Sequence, residues 1–151
     1  YFLQILMLFI NFLEKLKQTP EIITFTETIA VIEENYDFSP TAFENGLQHN
    51  TAGENSGSCK IFAFAEIQNL SETATLSCFG AYYYDDVLKN PNGTDHQNIR
   101  NFMKTGWDGI AFYEVLWFQN KITILCQVGR SRDTFVGLDC ARLDKIYNKI
   151  L

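Results

Sequence analysis

The sequence predicts a mainly α protein: a compact helical domain of four to five helices with a long polar loop, followed by a C-terminal tail with a candidate β-hairpin and a final helix. Three observations carry that reading. Apolar residues recur at spacings of three and four over several stretches, the period of a helix with one buried face. Ser, Thr, Asp and Pro stand where such helices would begin, and Gly stands where they would end. A chain of 151 residues, 46% hydrophobic and 20% charged, also suits one ordinary domain with a core of its own.

Residues 1–13 are apolar but include Gln4 and Asn11 and lack a basic leader and a small-residue cleavage site, so they do not read as a signal peptide, and they are too short for the run of about 20 apolar residues that spans a bilayer. Residues 7–18 then set Phe9, Phe12, Leu13 and Leu16 on one side and Asn11, Glu14, Lys15 and Lys17 on the other. Thr19-Pro20 is expected to stop this helix and start the next, with Thr19 as cap and Pro20 at the first position, where its missing donor costs nothing. Ile22, Phe25, Ile29, Ile32 and Tyr36 follow at helical spacing, and Ser39-Pro40 repeats the cap-plus-proline device. From Asn45-Gly46 to Gly57 the chain is rich in Gly and Asn and reads as a long irregular polar loop.

Ser58 is expected to cap a segment holding Ile61, Phe62, Phe64, Ala65 and Ile67; helix is favoured, although the alternation there also fits a buried strand. Ser71 opens a helix reaching about Leu88, with Leu76, Phe79, Tyr83 and Val87 on its face, and Asn90-Pro91-Asn92-Gly93 is a turn. Asp95 is expected to cap a short helix bearing Ile99, Phe102 and Met103, closed by Gly106. Ile22, Phe25, Ile29, Ile32, Phe62, Leu76 and Phe79 are expected to be buried together. Beyond Phe112, the β-type runs 115–118 and 122–126 flank Gln119-Asn120-Lys121 as a hairpin, and Leu143, Ile146, Tyr147 and Ile150 suggest a last helix.

The net charge of −6 argues against a general nucleic-acid binder, which needs a basic face, and against an anionic membrane surface. The charge is uneven: residues 7–112 carry six Lys/Arg against fourteen Asp/Glu, and residues 113–151 carry six against four, which puts a compositional boundary near Phe112. Cys59, Cys78, Cys126 and Cys140 fit no zinc spacing and read as reduced thiols. No metal or cofactor is expected.

Several literal stretches resemble the HopJ family of small bacterial proteins named for a type III effector. They are Tyr36-Asp37-Phe38-Ser39-Pro40-Thr41-Ala42-Phe43-Glu44-Asn45-Gly46, Asn50 with Ala52-Gly53-Glu54-Asn55, Gly57-Ser58-Cys59-Lys60-Ile61-Phe62-Ala63-Phe64-Ala65, Cys78-Phe79-Gly80, Asp95-His96-Gln97-Asn98-Ile99-Arg100 and Gly106-Trp107-Asp108-Gly109-Ile110. The resemblance covers about residues 7–112 as a helical domain and leaves 1–6 and 113–151 as an unassigned remainder. It implies an α-helical domain and a type III effector, and it brings no reaction.

The candidate ligand-binding residues fall in the same stretches. Asn45, His49, Asn55, Ser58, Cys59 and Lys60 gather donors at an expected helix N-terminus, which holds anions and lowers the pKa of a free thiol. The plainer account has the glycines turning the chain and the asparagines capping turns. His96 and Arg100 stand four apart, so a helix would project both from one face toward a carboxylate or phosphate; the plainer account pairs Arg100 with an acidic neighbour. The leading expectation is a cytoplasmic, acidic domain, not an enzyme, that binds a partner protein or a small anionic ligand through the 45–60 loop and the His96/Arg100 face, exported by a type III system if the family label holds. The alternative is an enzyme using Cys59 or His96.

Overall fold

The structure, a computed structural model, describes residues 1–114 and 119–120. Helix α1 (Phe2–Gln18) buries Leu6, Phe9, Phe12 and Leu16, the stripe its sequence period requires. Thr19-Pro20 does stop it, but Pro20–Ile22 forms a single 3₁₀ turn with no side-chain cap, and α2 (Phe25–Asn35) begins later. Its cap is Thr24, whose hydroxyl accepts from the Glu27 N–H at 3.1 Å. The extra turn rotates the phase, so Ile22 is 54% exposed and Ile23 is buried in its place. Phe25 and Ile29 pack half-buried on the core, while Ile32 is fully buried.

No helix follows Ser39-Pro40. Short strands take its place: β1 (Tyr36–Asp37), β2 (Phe43–Asn45) and β3 (Gln48–Asn50). The expected irregular loop is therefore in part a β-hairpin, turned by Gly46 at φ 61° and Leu47. With β4 (Ile110–Phe112) it forms an antiparallel sheet in the order β3-β2-β4, with Phe43 opposite both Asn50 and Phe112. Antiparallel to β1 lies β5 (Gln119–Asn120), Asn120 opposite Tyr36, so two of the three residues expected to turn a tail hairpin instead pair as strand. The runs 115–118 and 122–126 and the expected last helix lie outside the described residues.

Helix α3 (Ser56–Ile67) is the axis of the core: Cys59, Ile61, Phe62, Ala63, Phe64 and Ala65 are all buried. A helix covered all round has no polar face and so no 3.6-residue signal, which is why periodicity left helix and strand open there. Phe62 lies 5.5 Å from Phe79 and 4.9 Å from Phe102, ring centre to ring centre, and Phe64 lies 6.2 Å from Phe9. Burying each such ring is worth roughly 2–3 kcal/mol.

Ser71 caps α4 (Glu72–Ser77) as expected, accepting from the Ala74 N–H, but the helix does not run on to Leu88. Gly80, at φ 58°, breaks it; a Cβ there would stand 2.7 Å from the Phe25 backbone N, so the break also lets the chain close against the start of α2. A π-helical turn follows at Tyr82–Val87. Asn90 to Gly93 then turns, and α5 (Gln97–Thr105) ends at Gly106 as the sequence predicts. Ile99 and Phe102 are buried on it, whereas Met103 is exposed.

Candidate functional site

Two helices begin at the same cleft. Asn55 precedes α3 and His96 precedes α5, both in the left-handed conformation at φ 50° and 48°, and neither helix has a side-chain cap on its first N–H groups. A left-handed residue running into right-handed ones turns successive N–H groups toward one point, the geometry of an anion-binding nest, and the helix dipole adds to it. The cavity there measures about 490 Å³ and is lined by Asn55, Gly57, Ser58, His96, Gln97 and Asn98 together with Phe25, Gln48, Phe79, Tyr82 and Ile99.

Its wall is aromatic. The Phe25 ring meets Tyr82 edge-on at 5.1 Å, and Tyr82 lies 5.0 Å from the His96 ring. Gly57 lets the wall close, because a Cβ there would come within 2.8 Å of the Phe25 ring. His96 Nε2 is 3.1 Å from Asp86 Oδ2 and 3.7 Å from Asp95 Oδ2, so the π-helical turn supplies both a stacking partner and a carboxylate for this imidazole. Asp95 does not cap α5; its side chain turns to Arg100.

Beside the cleft lies a buried set of amides. Asn45 donates to the Asn98 carbonyl at 2.7 Å and to Asn98 Oδ1 at 3.0 Å. Asn50 donates to Asn98 Oδ1, and its own Oδ1 accepts from Asn98 and Asn55 at 2.9 and 2.8 Å. Asn45 Oδ1 is buried with no partner among the described residues. This network joins the hairpin to the N-termini of α3 and α5 and fixes the geometry of the cleft.

The predicted site residues therefore separate. Asn55, Ser58 and His96 line one cleft, and Asn45 supports it from behind. The cap expected of Ser58 belongs elsewhere, since α3 starts two residues earlier. Arg100 does not share the cleft with Ser58: it is 7% exposed, with Nε donating to the Asp95 carbonyl, NH1 to the Asn90 carbonyl and NH2 to Asp95 Oδ1. That hydrogen bond holds the Asp95 carboxyl below its usual range. Arg100 thus clasps the 90–95 loop, the plainer account of it. Lys60 points away as well, bonded to Glu33 at 2.7 Å and lying over the Phe38 ring.

Cys59 faces the core, and burial pushes its thiol pKa up, the reverse of the activation expected at a helix N-terminus. His49 stands on the outer face of the sheet, 2.6 Å from Glu44 Oε1, which also accepts from the Tyr113 hydroxyl at 2.7 Å. The two bonds, that to His49 first, hold the Glu44 carboxyl below its usual range, and the bond to Glu44 raises the Tyr113 hydroxyl. Gln97 and Asn98 were missed as site residues, although both stand in the stretch from Asp95 to Arg100 beside His96. Among the described residues no His/Cys/Asp/Glu group could hold a metal ion, and no helix is long and apolar enough to cross a membrane.

Fold and cleft together define a small, mainly α domain in which a three-stranded sheet and a buried amide cluster hold two helix N-termini over one polar cavity. The chain belongs to the HopJ type III effector protein family, whose match runs over residues 9–116. It is similar to the crystal structure of the unknown function protein VPA0580, at 55% identity and a TM-score of 0.70, over 72% of this chain and 92% of that one. No curated protein matches it.

Proposed function

We propose that this HopJ-family chain is a ligand-binding domain whose cleft takes a small anion, a carboxylate or a phosphate. The convergence of two helix starts without side-chain caps on one cavity is the observation that carries it. Backbone N–H groups of the first turns bind such a group without a basic side chain, which suits a protein of net charge −6. Ser58 and Gln97 add donors, and the Phe25–Tyr82 wall accommodates an apolar or planar body attached to the anion. Arg100 has no part in this reading. The family description supports export through a type III system from the bacterial cytoplasm.

A second reading, an enzyme acting through His96, draws on the Asp86 carboxylate beside that imidazole inside the cleft. Cys59 lends it nothing. Titration of the full chain with inorganic phosphate, followed by amide NMR, tests the binding reading. The amides of Gly57, Ser58, Gln97 and Asn98 should shift together and saturate, and Ser58→Asp should abolish the response. Shifts scattered over the surface, or a response unchanged in Ser58→Asp, would remove the cleft as the site.

A further inference from the structure

The imidazole in the cleft has one nitrogen fixed and one open. His96 Nε2 lies 3.1 Å from Asp86 Oδ2 and 3.7 Å from Asp95 Oδ2, so the proton of the neutral ring sits on this nitrogen and is donated. Asp95 turns its other oxygen to Arg100, which leaves Asp86 as the carboxylate at hydrogen-bond distance. Nδ1 then keeps its lone pair, and no group among the described residues bonds to it. The Tyr82 ring, 5.0 Å away, holds the imidazole from the side. A carboxylate that orients a histidine whose second nitrogen is free is the arrangement of a general base.

The surroundings of His96 select a reaction class. Backbone N–H groups at the starts of α3 and α5 border the same cavity and can donate to one developing negative charge. Among the described residues no Lys or Arg lines it, whereas the charge spread over a phosphoryl group in transfer calls for such a cation or a metal ion. The tetrahedral oxyanion of a carboxylic ester carries a single charge. An acyl or aryl body would lie on the Phe25–Tyr82 wall.

We infer that the cleft hydrolyses a small carboxylic ester, with His96 as general base and Asp86 as the positioning residue behind it. This rests on the anion-binding reading, since the same N–H groups hold the carboxylate product, and it gives the His96 reading its reaction. Nδ1 takes a proton from water as the water oxygen bonds to the carbonyl carbon, and the carbonyl π pair moves onto its oxygen. When that oxyanion collapses, the ester C–O bond breaks and the imidazolium returns the proton to the departing alkoxide. Ester and water give acid and alcohol, with the base restored.

Turnover of p-nitrophenyl acetate by the full chain, measured beside the phosphate titration, tests this. His96→Asn, a change that the left-handed conformation tolerates, should lower kcat about a hundredfold or more. Asp86→Asn should lower kcat at unchanged KM, and Asp86→Glu should restore most of it. His49→Ala should leave turnover as it was; equal losses in His49→Ala and His96→Asn would mark adventitious imidazole chemistry and overturn the proposal. So would turnover that survives in Ser58→Asp. No turnover in the parent, while phosphate still saturates the cleft, would sink the hydrolase and leave the binding reading standing. A titration that never saturates would remove both.

Discussion

The two faces of the β2–β3 hairpin handle polar side chains in opposite ways. On the inner face Asn45 and Asn50 are fully buried and bonded to Asn98, all of them neutral amides. One residue along, on the outer face, Glu44 and His49 meet across the strands with Tyr113 and remain in contact with water. A buried amide network is expensive to interrupt, because each group left without a partner costs its own desolvation, about 1–3 kcal/mol. An exposed ionic contact competes with solvation and holds little. Proximity in sequence and density of hydrogen bonds therefore say nothing about energetic weight; burial decides it.

The largest expected effect is on the inner face. Asn50→Leu removes the acceptor shared by Asn55 and Asn98 and should destabilise the fold by about 3 kcal/mol in urea denaturation. A loss below about 1 kcal/mol would mean that water replaces the amide and would erase the contrast between the faces.

Arg100 stands between the two cases, a charge nine-tenths buried but bonded to an exposed carboxylate. Arg100→Ala frees the carbonyls of Asn90 and Asp95 and should cost about 2 kcal/mol, with the loss of order confined to residues 90–96 in hydrogen exchange. Phosphate titration of the cleft should respond only through the start of α5. If Arg100→Ala leaves stability untouched and abolishes phosphate binding, the guanidinium belongs to the site after all.

Asp95 sharpens the same point through pH. Arg100 depresses its pKa in the folded state, so the stability it contributes is full above the ordinary aspartate range and disappears as pH falls through the lower folded value. Acid titration of thermal stability should show a steeper loss below about pH 4 in the parent than in Asp95→Asn. Parallel curves would show that the clasp holds by shape rather than charge.

The smallest effect is expected outside. His49→Ala should change Tm by less than about 2 °C, since its pairing with Glu44 is solvated. A larger shift would make the Glu44–His49–Tyr113 contact a true fastening of the sheet.

Much of the fold was legible because it follows from local chemistry. The α1 stripe, the stop at Thr19-Pro20, the Ser71 cap, the turn after Asn90 and the closure at Gly106 each depend on one or two residues and their neighbours, so the sequence suffices to place them. The hairpin was hidden although Gly46 sits at its turn, because the inward residues of its strands include Asn45 and Asn50 rather than an apolar alternation. Only their bonds to Asn98, about fifty positions away, make them core residues. The cleft was legible in the same uneven way. The structure brings Asn55, Ser58 and His96 to one cavity, and all three stand in stretches where the family resemblance is literal. Which way Cys59, Lys60 and Arg100 turn was decided by the packing of α3 on α2 and by the path of the 90–95 loop. Spacing along a helix fixes which side chains share a face, but only the tertiary structure decides what that face meets.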